Sequence, residues 1–239
     1  MNELEQKTPE RLFPARMRVL DGSMLKLLAM ALMLIDHIAH LFRIGEGVTL
    51  LSLGGFEMTL YETLRYVGRL AFPLFAFLLV EGFLHTRNRK NYAIRLSLFA
   101  LLSEIPFDLF CSGRVFYERQ NVFFTLLLGF LGLCALEHLT SWRRILSVTG
   151  LFLVAFVLRA DYASTGYLLV LLLYALREIP ALRGLSITGV IGIAAGAAAL
   201  PMALYNGKRG FVGGRVMKYA FYAFYPVHLL LLVLIKILF

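Results

Sequence analysis

Charge is scarce in this chain of 239 residues: only 16% are charged, and 15 acids stand against 24 basic residues. A soluble domain so poor in charge, with 59% hydrophobic residues and a mean hydropathy of +0.76, would leave large apolar patches in water. Alternation of apolar and polar residues is also missing, since the long segments are apolar all round. That excludes a membrane barrel and leaves helices as the spanning form. Cysteine is nearly absent: Cys111 and Cys134 lie in or beside apolar segments without disulfide or zinc spacing. No small-residue cleavage site follows the first apolar run, so that run is read as a retained span and not a signal peptide. The net charge of +9 is read as orientation, with no nucleic-acid partner expected.

What is present is a series of apolar runs. Expected spans are Met24–Phe42, Arg69–Leu84, Tyr92–Phe110, Asn121–Leu139, Ile145–Leu158, Thr165–Leu176, Leu185–Leu204 and Tyr219–Phe239. They describe an all-α polytopic membrane bundle of about eight transmembrane helices. The spans form one domain over 24–239, preceded by a cytoplasmic N-terminal segment at 1–23. Phe56–Val67 has helical spacing, with Leu60, Leu64 and Val67 on one side and Glu57 and Arg65 on the other, which suits a helix lying in the interface. Basic turns after spans two, four and six share a side with the N-terminal segment, and that side is read as cytoplasmic. The loop Tyr205–Lys218 disagrees. It holds Lys208, Arg209, Arg215 and Lys218 with no acid, yet eight spans put it outside. Either one span is miscounted or those cations serve an anionic ligand.

Against this background the intramembrane polar residues stand out. Asp36 and His37 sit side by side near the outer end of the first span, with His40 one turn past Asp36. Such groups cost several kcal/mol at membrane depth unless compensated, which makes them a functional hypothesis by default. Neighbours in a helix point about 100° apart, so Asp36 does not orient His37. A carboxylate from another helix is expected to hold the imidazole, with Glu104 or Asp108 best placed, while Asp36 is expected to pair with Arg69. Arg69, Glu104, Asp108, Asp161 and His228 converge on the outer leaflet, and Glu81 is the exception, deeper and toward the cytoplasm. The basic turn Arg87–Arg95, with Arg87, Arg89, Lys90 and Arg95, is mostly an orientation signal, and it also suits the phosphates of a cytosolic cofactor. Lys208 and Arg209 are the further candidates for an anion. Gly189, Gly192 and Gly196 point to close helix packing. No metal is expected, because no element carries ligand spacing.

Six stretches, LKLLAMALMLIDHIAH, GRLAFPLFAFLLVEGFLHTRN, RLSLFALLSEIPFDL, QNVFFTLLLG, RADYASTGY and KYAFYAFYPVHLL, occur in that order. Together they resemble the TraX family, multi-pass proteins of the bacterial inner membrane whose namesake acetylates a conjugative pilin. The likeness runs from Leu25 to Leu232, with Ala39 where the family is expected to have glycine. It implies an acetyl-CoA-dependent acyltransferase with Asp36 and His37 as the family's DH pair. It also implies that Arg69, Glu81, Glu104, Asp108, Asp161 and His228 occupy its other recurrent polar positions. Expected partners are the lipid bilayer and an exported peptide, glycan or lipid-linked acceptor. The rival class is a transporter or flippase with a proton relay through the same acids and histidines, against which stands the lack of repeated halves.

Overall fold

The computed structural model describes residues 12–211 and 214–238. The first eleven residues of the expected N-terminal segment lie outside the described residues. Helix α1, Gly22–Phe42, starts where Asp21 accepts hydrogen bonds from the Ser23 and Met24 amides at 2.8 and 2.9 Å, and it ends at Arg43 in a left-handed conformation. A β-hairpin follows, with strands β1, Thr49–Leu53, and β2, Phe56–Thr59. Gly54 and Gly55 between them both have positive φ, the requirement of a two-residue hairpin turn. The expected interfacial helix over 56–67 is therefore corrected: its first four residues are strand. Helix α2, Leu60–Gly68, begins in a capping box between Thr59 and Glu62. It runs nearly unbroken into α3, Ala71–His85, so that one apolar helix covers Leu60–His85.

Next come α4, Arg89–Ser112; α5, Val122–His138; α6, Ser141–Val157; α7, Ala163–Ala175; and α8, Pro180–Ile191. The short helices α9, Ile193–Gly196, and α10, Ala199–Ala203, lead to α11, Arg215–Leu238. Gly22–Phe42, Leu60–His85 and Val216–Leu238 are long and apolar enough to cross a membrane, and Val122–His138, Ala163–Ala175 and Ile193–Ala203 are shorter apolar helices. Eight full crossings are not shown by these helices. The expected span Leu185–Leu204 breaks at Gly192, whose φ of 123° is rarely open to a residue with a side chain. The chain then folds back along α8: a side chain on Gly184 would touch Ala199, and one on Gly196 would run into Thr188.

This re-entrant hairpin returns to the end of the bundle from which it left. The Leu20 amide donates to the Leu204 carbonyl, Asn206 donates to Leu20, and Gly22 donates to the Lys208 carbonyl at 2.8 Å. The loop at 205–211 thus sits beside the start of α1, at the same end as the turn between α3 and α4. The conflicting basic loop therefore lies at the same end of the bundle as the start of α1, as it would if one span had been miscounted. That end is called basal below, and the end with the β-hairpin distal.

Candidate functional site

α1 and α11 both start at the basal end and run parallel, which brings residue 37 of one level with residue 228 of the other. His37 Nδ1 lies 2.7 Å from His228 Nε2, and His228 Nδ1 lies 2.8 Å from the Phe224 carbonyl oxygen. The rings are tilted by only 7°, with centroids 5.0 Å apart. With the nitrogens so close, this spacing belongs to rings meeting edge to edge in one plane, not to stacked faces. Proton positions follow from the partners. A carbonyl only accepts, so His228 donates from Nδ1 and, when neutral, keeps its lone pair at Nε2. His37 then donates from Nδ1, which leaves its own Nε2 as the basic nitrogen. Pro226, inside α11, withholds the amide that the Tyr222 carbonyl would otherwise receive one turn earlier. Phe110 and Tyr225 wall the His37 ring at centroid distances of 5.0 and 6.2 Å.

The carboxylates are arranged otherwise than the sequence reading expects. Among the described residues no carboxylate bonds to His37; a second imidazole takes that place. Glu104 instead accepts from the Asn121 amide, which also donates to the Ala100 carbonyl at 2.7 Å. Asn121 caps α5 through its side-chain oxygen, so Glu104 secures a helix start. Asp108 is 4% exposed and its Oδ1 has no hydrogen-bond partner. Asp36 pairs with Arg65, at 2.6 Å from Nη1, and not with Arg69. The same nitrogen donates to the Asp36 carbonyl, and the close approach of α2 leaves no room for a side chain at Gly68, which faces Asp36. Arg69 is exposed, its guanidinium over Tyr66 at 5.6 Å. The sequence reading placed Arg65 only on the polar side of the expected interfacial helix; it stands one turn before Arg69, on the same helix face.

Asp161 lies in the loop between α6 and α7, where its amide donates to the Gln120 carbonyl at 2.7 Å and its carbonyl accepts from Thr125. Burial, and then the negative charge of Asp36, push its carboxyl from the ordinary 3.8 up to about 6. Asp161 thus shares an electrostatic neighbourhood with Asp36 at the distal side of the histidine pair.

The basal candidates divide. Arg89 donates to Glu137 at 2.9 Å and covers the Phe83 ring, which ties the start of α4 to the end of α5. Arg87 and Lys90 are exposed. None of the three lines the basal cavity, a space of about 510 Å³ whose walls include Lys26, Glu81, His85, Arg95, Arg209 and Lys218. Arg209 and Glu81 are thus in its wall, while Lys208 serves through its backbone, accepting from Gly22. Glu81 is 3.9 Å from His85 and also bonds Tyr205. Sequence reasoning missed Lys26 as part of an anion site; Arg95 and Lys218 entered it only as members of the basic turn after span two and of the loop Tyr205–Lys218.

Comparisons with known proteins give one family model and one near-full-length relative. A family model described as TraX protein matches residues 21–236. A curated relative, the probable fimbrial assembly protein FimC, serogroup H1, of Dichelobacter nodosus, is 36% identical over an alignment covering 87% of this chain and 92% of that protein. No solved structure matches.

Proposed function

The chain belongs to the TraX family, and on that premise we propose that it is an integral-membrane acyltransferase moving an acetyl group from acetyl-CoA to an amine or hydroxyl of an exported or surface molecule. It works in the bacterial inner membrane with its basal end in the cytoplasm, a setting supported by the basic residues gathered there. One observation carries the reading: His37, hydrogen-bonded to His228, which is in turn fixed by the Phe224 carbonyl. This chain of partners does for His37 what a carboxylate does in other acyl-transfer sites. It selects one tautomer and stiffens the ring.

The acceptor's N–H or O–H group attacks the thioester carbonyl carbon, and His37 Nε2 takes the proton as the new bond forms. The developing imidazolium is stabilised through Nδ1–H donation to His228. Tyr225, the tyrosine whose ring lies 6.2 Å from His37, donates to the oxyanion. Collapse breaks the carbon–sulfur bond, and the departing thiolate takes the proton from His37, which restores the free base. Asp36, held by Arg65, and Asp161 set the charge on the distal side, where the acceptor approaches. The printed name of the curated relative concerns fimbrial assembly, which supports an exported filament polypeptide as the acceptor ahead of a glycan or a lipid-linked molecule.

Acetyl-CoA turnover by the purified chain, with mass spectrometry of exported peptides from cells with and without the gene, tests the proposal. His37→Gln is expected to lower transfer by on the order of 10²–10⁴-fold, and His228→Gln to lower it less, with membrane insertion retained in both. Full turnover in the His37 variant ends the reading.

A further inference from the structure

The basal cavity has a polar mouth, a thin apolar shaft and a direction. Lys26, Arg95, Arg209 and Lys218 line it against one acid, Glu81, which is itself bonded to Tyr205 and His85. The cations act on one another: Lys26 feels Arg209 and Lys218, and Lys218 feels Arg95 and Arg209. Like charges held this close cost free energy unless an anion joins them. Arg95, whose side chain also bonds Tyr222, adds a specific donor, since among the described residues its buried Nε–H has no hydrogen-bond partner while the side chain lies over Tyr92. Beyond the cations the wall turns apolar, through Met30, Met33, Leu79 and Leu126 to Tyr225.

Its direction comes from helix periodicity. On α1 the lining residues are Gly22, Lys26, Met30 and Met33, and the next residue along that stripe is His37. On α11 they are Lys218, Phe221, Tyr222 and Tyr225, and the stripe through Lys218, Tyr222 and Tyr225 next reaches His228. Both stripes start among cations and end on the histidine pair.

We propose that this cavity, and not the exposed turn carrying Arg87 and Lys90, is the donor site: the phosphates of a phosphorylated thioester lie among Lys26, Arg95, Arg209 and Lys218, and its uncharged tail follows the shaft to place the thioester at Tyr225, beside His37 and His228. A volume of about 510 Å³ encloses a slender arm and leaves a nucleotide at the mouth. The inference rests on the acyl-transfer reading for the identity of the donor, and its own observable is binding. An anionic phospholipid has the same head-and-tail chemistry, so the test separates the two.

Labelled acetyl-CoA is titrated onto the full chain carrying His37→Gln, in nanodiscs of phosphatidylcholine. The expected result is saturable binding that inorganic pyrophosphate displaces, and that weakens at least tenfold in an added Arg95→Gln/Lys218→Gln pair. Filling the shaft with Met30→Trp is expected to weaken acetyl-CoA binding while pyrophosphate still binds. Phosphatidylglycerol added to the discs is expected to leave the acetyl-CoA affinity within threefold. Unchanged affinity in the Arg95/Lys218 pair, or in Met30→Trp, overturns the assignment even if His37→Gln has abolished transfer. Displacement of acetyl-CoA by phosphatidylglycerol overturns it in favour of a lipid. Binding as described, together with full transfer in His37→Gln, fails the catalytic reading and leaves the cavity assignment standing.

Discussion

At the scale of single residues, His37 was conspicuous in the sequence and its partner was not. An imidazole inside an apolar run signals itself through the cost of burying it. Which group meets its second nitrogen depends on the rotation of another helix about its own axis, and hydropathy says nothing of that. Glu104 and Asp108 lie at a suitable depth, yet Glu104 is drawn to Asn121, and the acceptor for His37 is His228 on α11. Asp161 supports a prediction at this scale. Its carboxyl, pushed up to about 6 from 3.8, binds its proton more tightly folded than unfolded. The stability this confers is complete below about pH 4 and is lost as the pH rises through about 6. Asp161→Asn is expected to remove that part of the decline in the unfolding midpoint between these pH values, followed in detergent. Because the charge of Asp36 contributes to the shift, Asp36→Asn is expected to narrow the same window from its upper side. A midpoint profile identical in Asp161→Asn and the parent chain contradicts this.

The elements differ in how much of themselves they showed. α1 and α11 were legible nearly to their ends, because an unbroken apolar run over twenty residues long has one way to cross a bilayer. The β-hairpin was misread although its signal was present: Gly54-Gly55 between two apolar stretches marks a turn, and the helical spacing of the residues after it obscured that. The α8–α10 hairpin was misread for a different reason. Glycines within a long apolar run suggest close packing of a continuous helix as readily as a reversal, and only the φ of Gly192 separates the two. Gly192→Val is therefore expected to cost on the order of 1–2 kcal/mol, seen as a lower thermal midpoint. Gly189→Ala, which has open space around it, is the control and is expected to change little. Equal midpoints for the two variants count against the reversal.

For the molecule as a whole, the hairpin reorders the charge. With 180–203 entering and leaving at the basal end, Lys208, Arg209 and Lys218 join Lys26 and Arg95 there, and the distal end keeps Arg65, Asp36 and Asp161. Cations thus gather at the basal end and these two carboxylates toward the distal end, with the histidine pair between them. Labelling in sealed vesicles tests this plan. In a chain with Cys111 and Cys134 replaced by Ser, a cysteine at Lys208 is expected to react from the same side as one at Arg16. One at Gly47 is expected to react only from the opposite side. A cysteine at Lys208 that reacts with the Gly47 side restores the eighth full crossing and removes the hairpin.

The amino-acid order by itself determined the helical membrane class, most of the helix positions and the level at which the awkward polar groups lie. Those properties are local, since they follow from the transfer cost of each stretch and from rise per residue. The union of His37 with His228, the pairing of Asp36 with Arg65 and the side of the 205–211 loop were decided by tertiary structure alone. Each depends on how one helix is turned against another, which is set by side-chain packing across the whole bundle and leaves no trace in a hydropathy pattern.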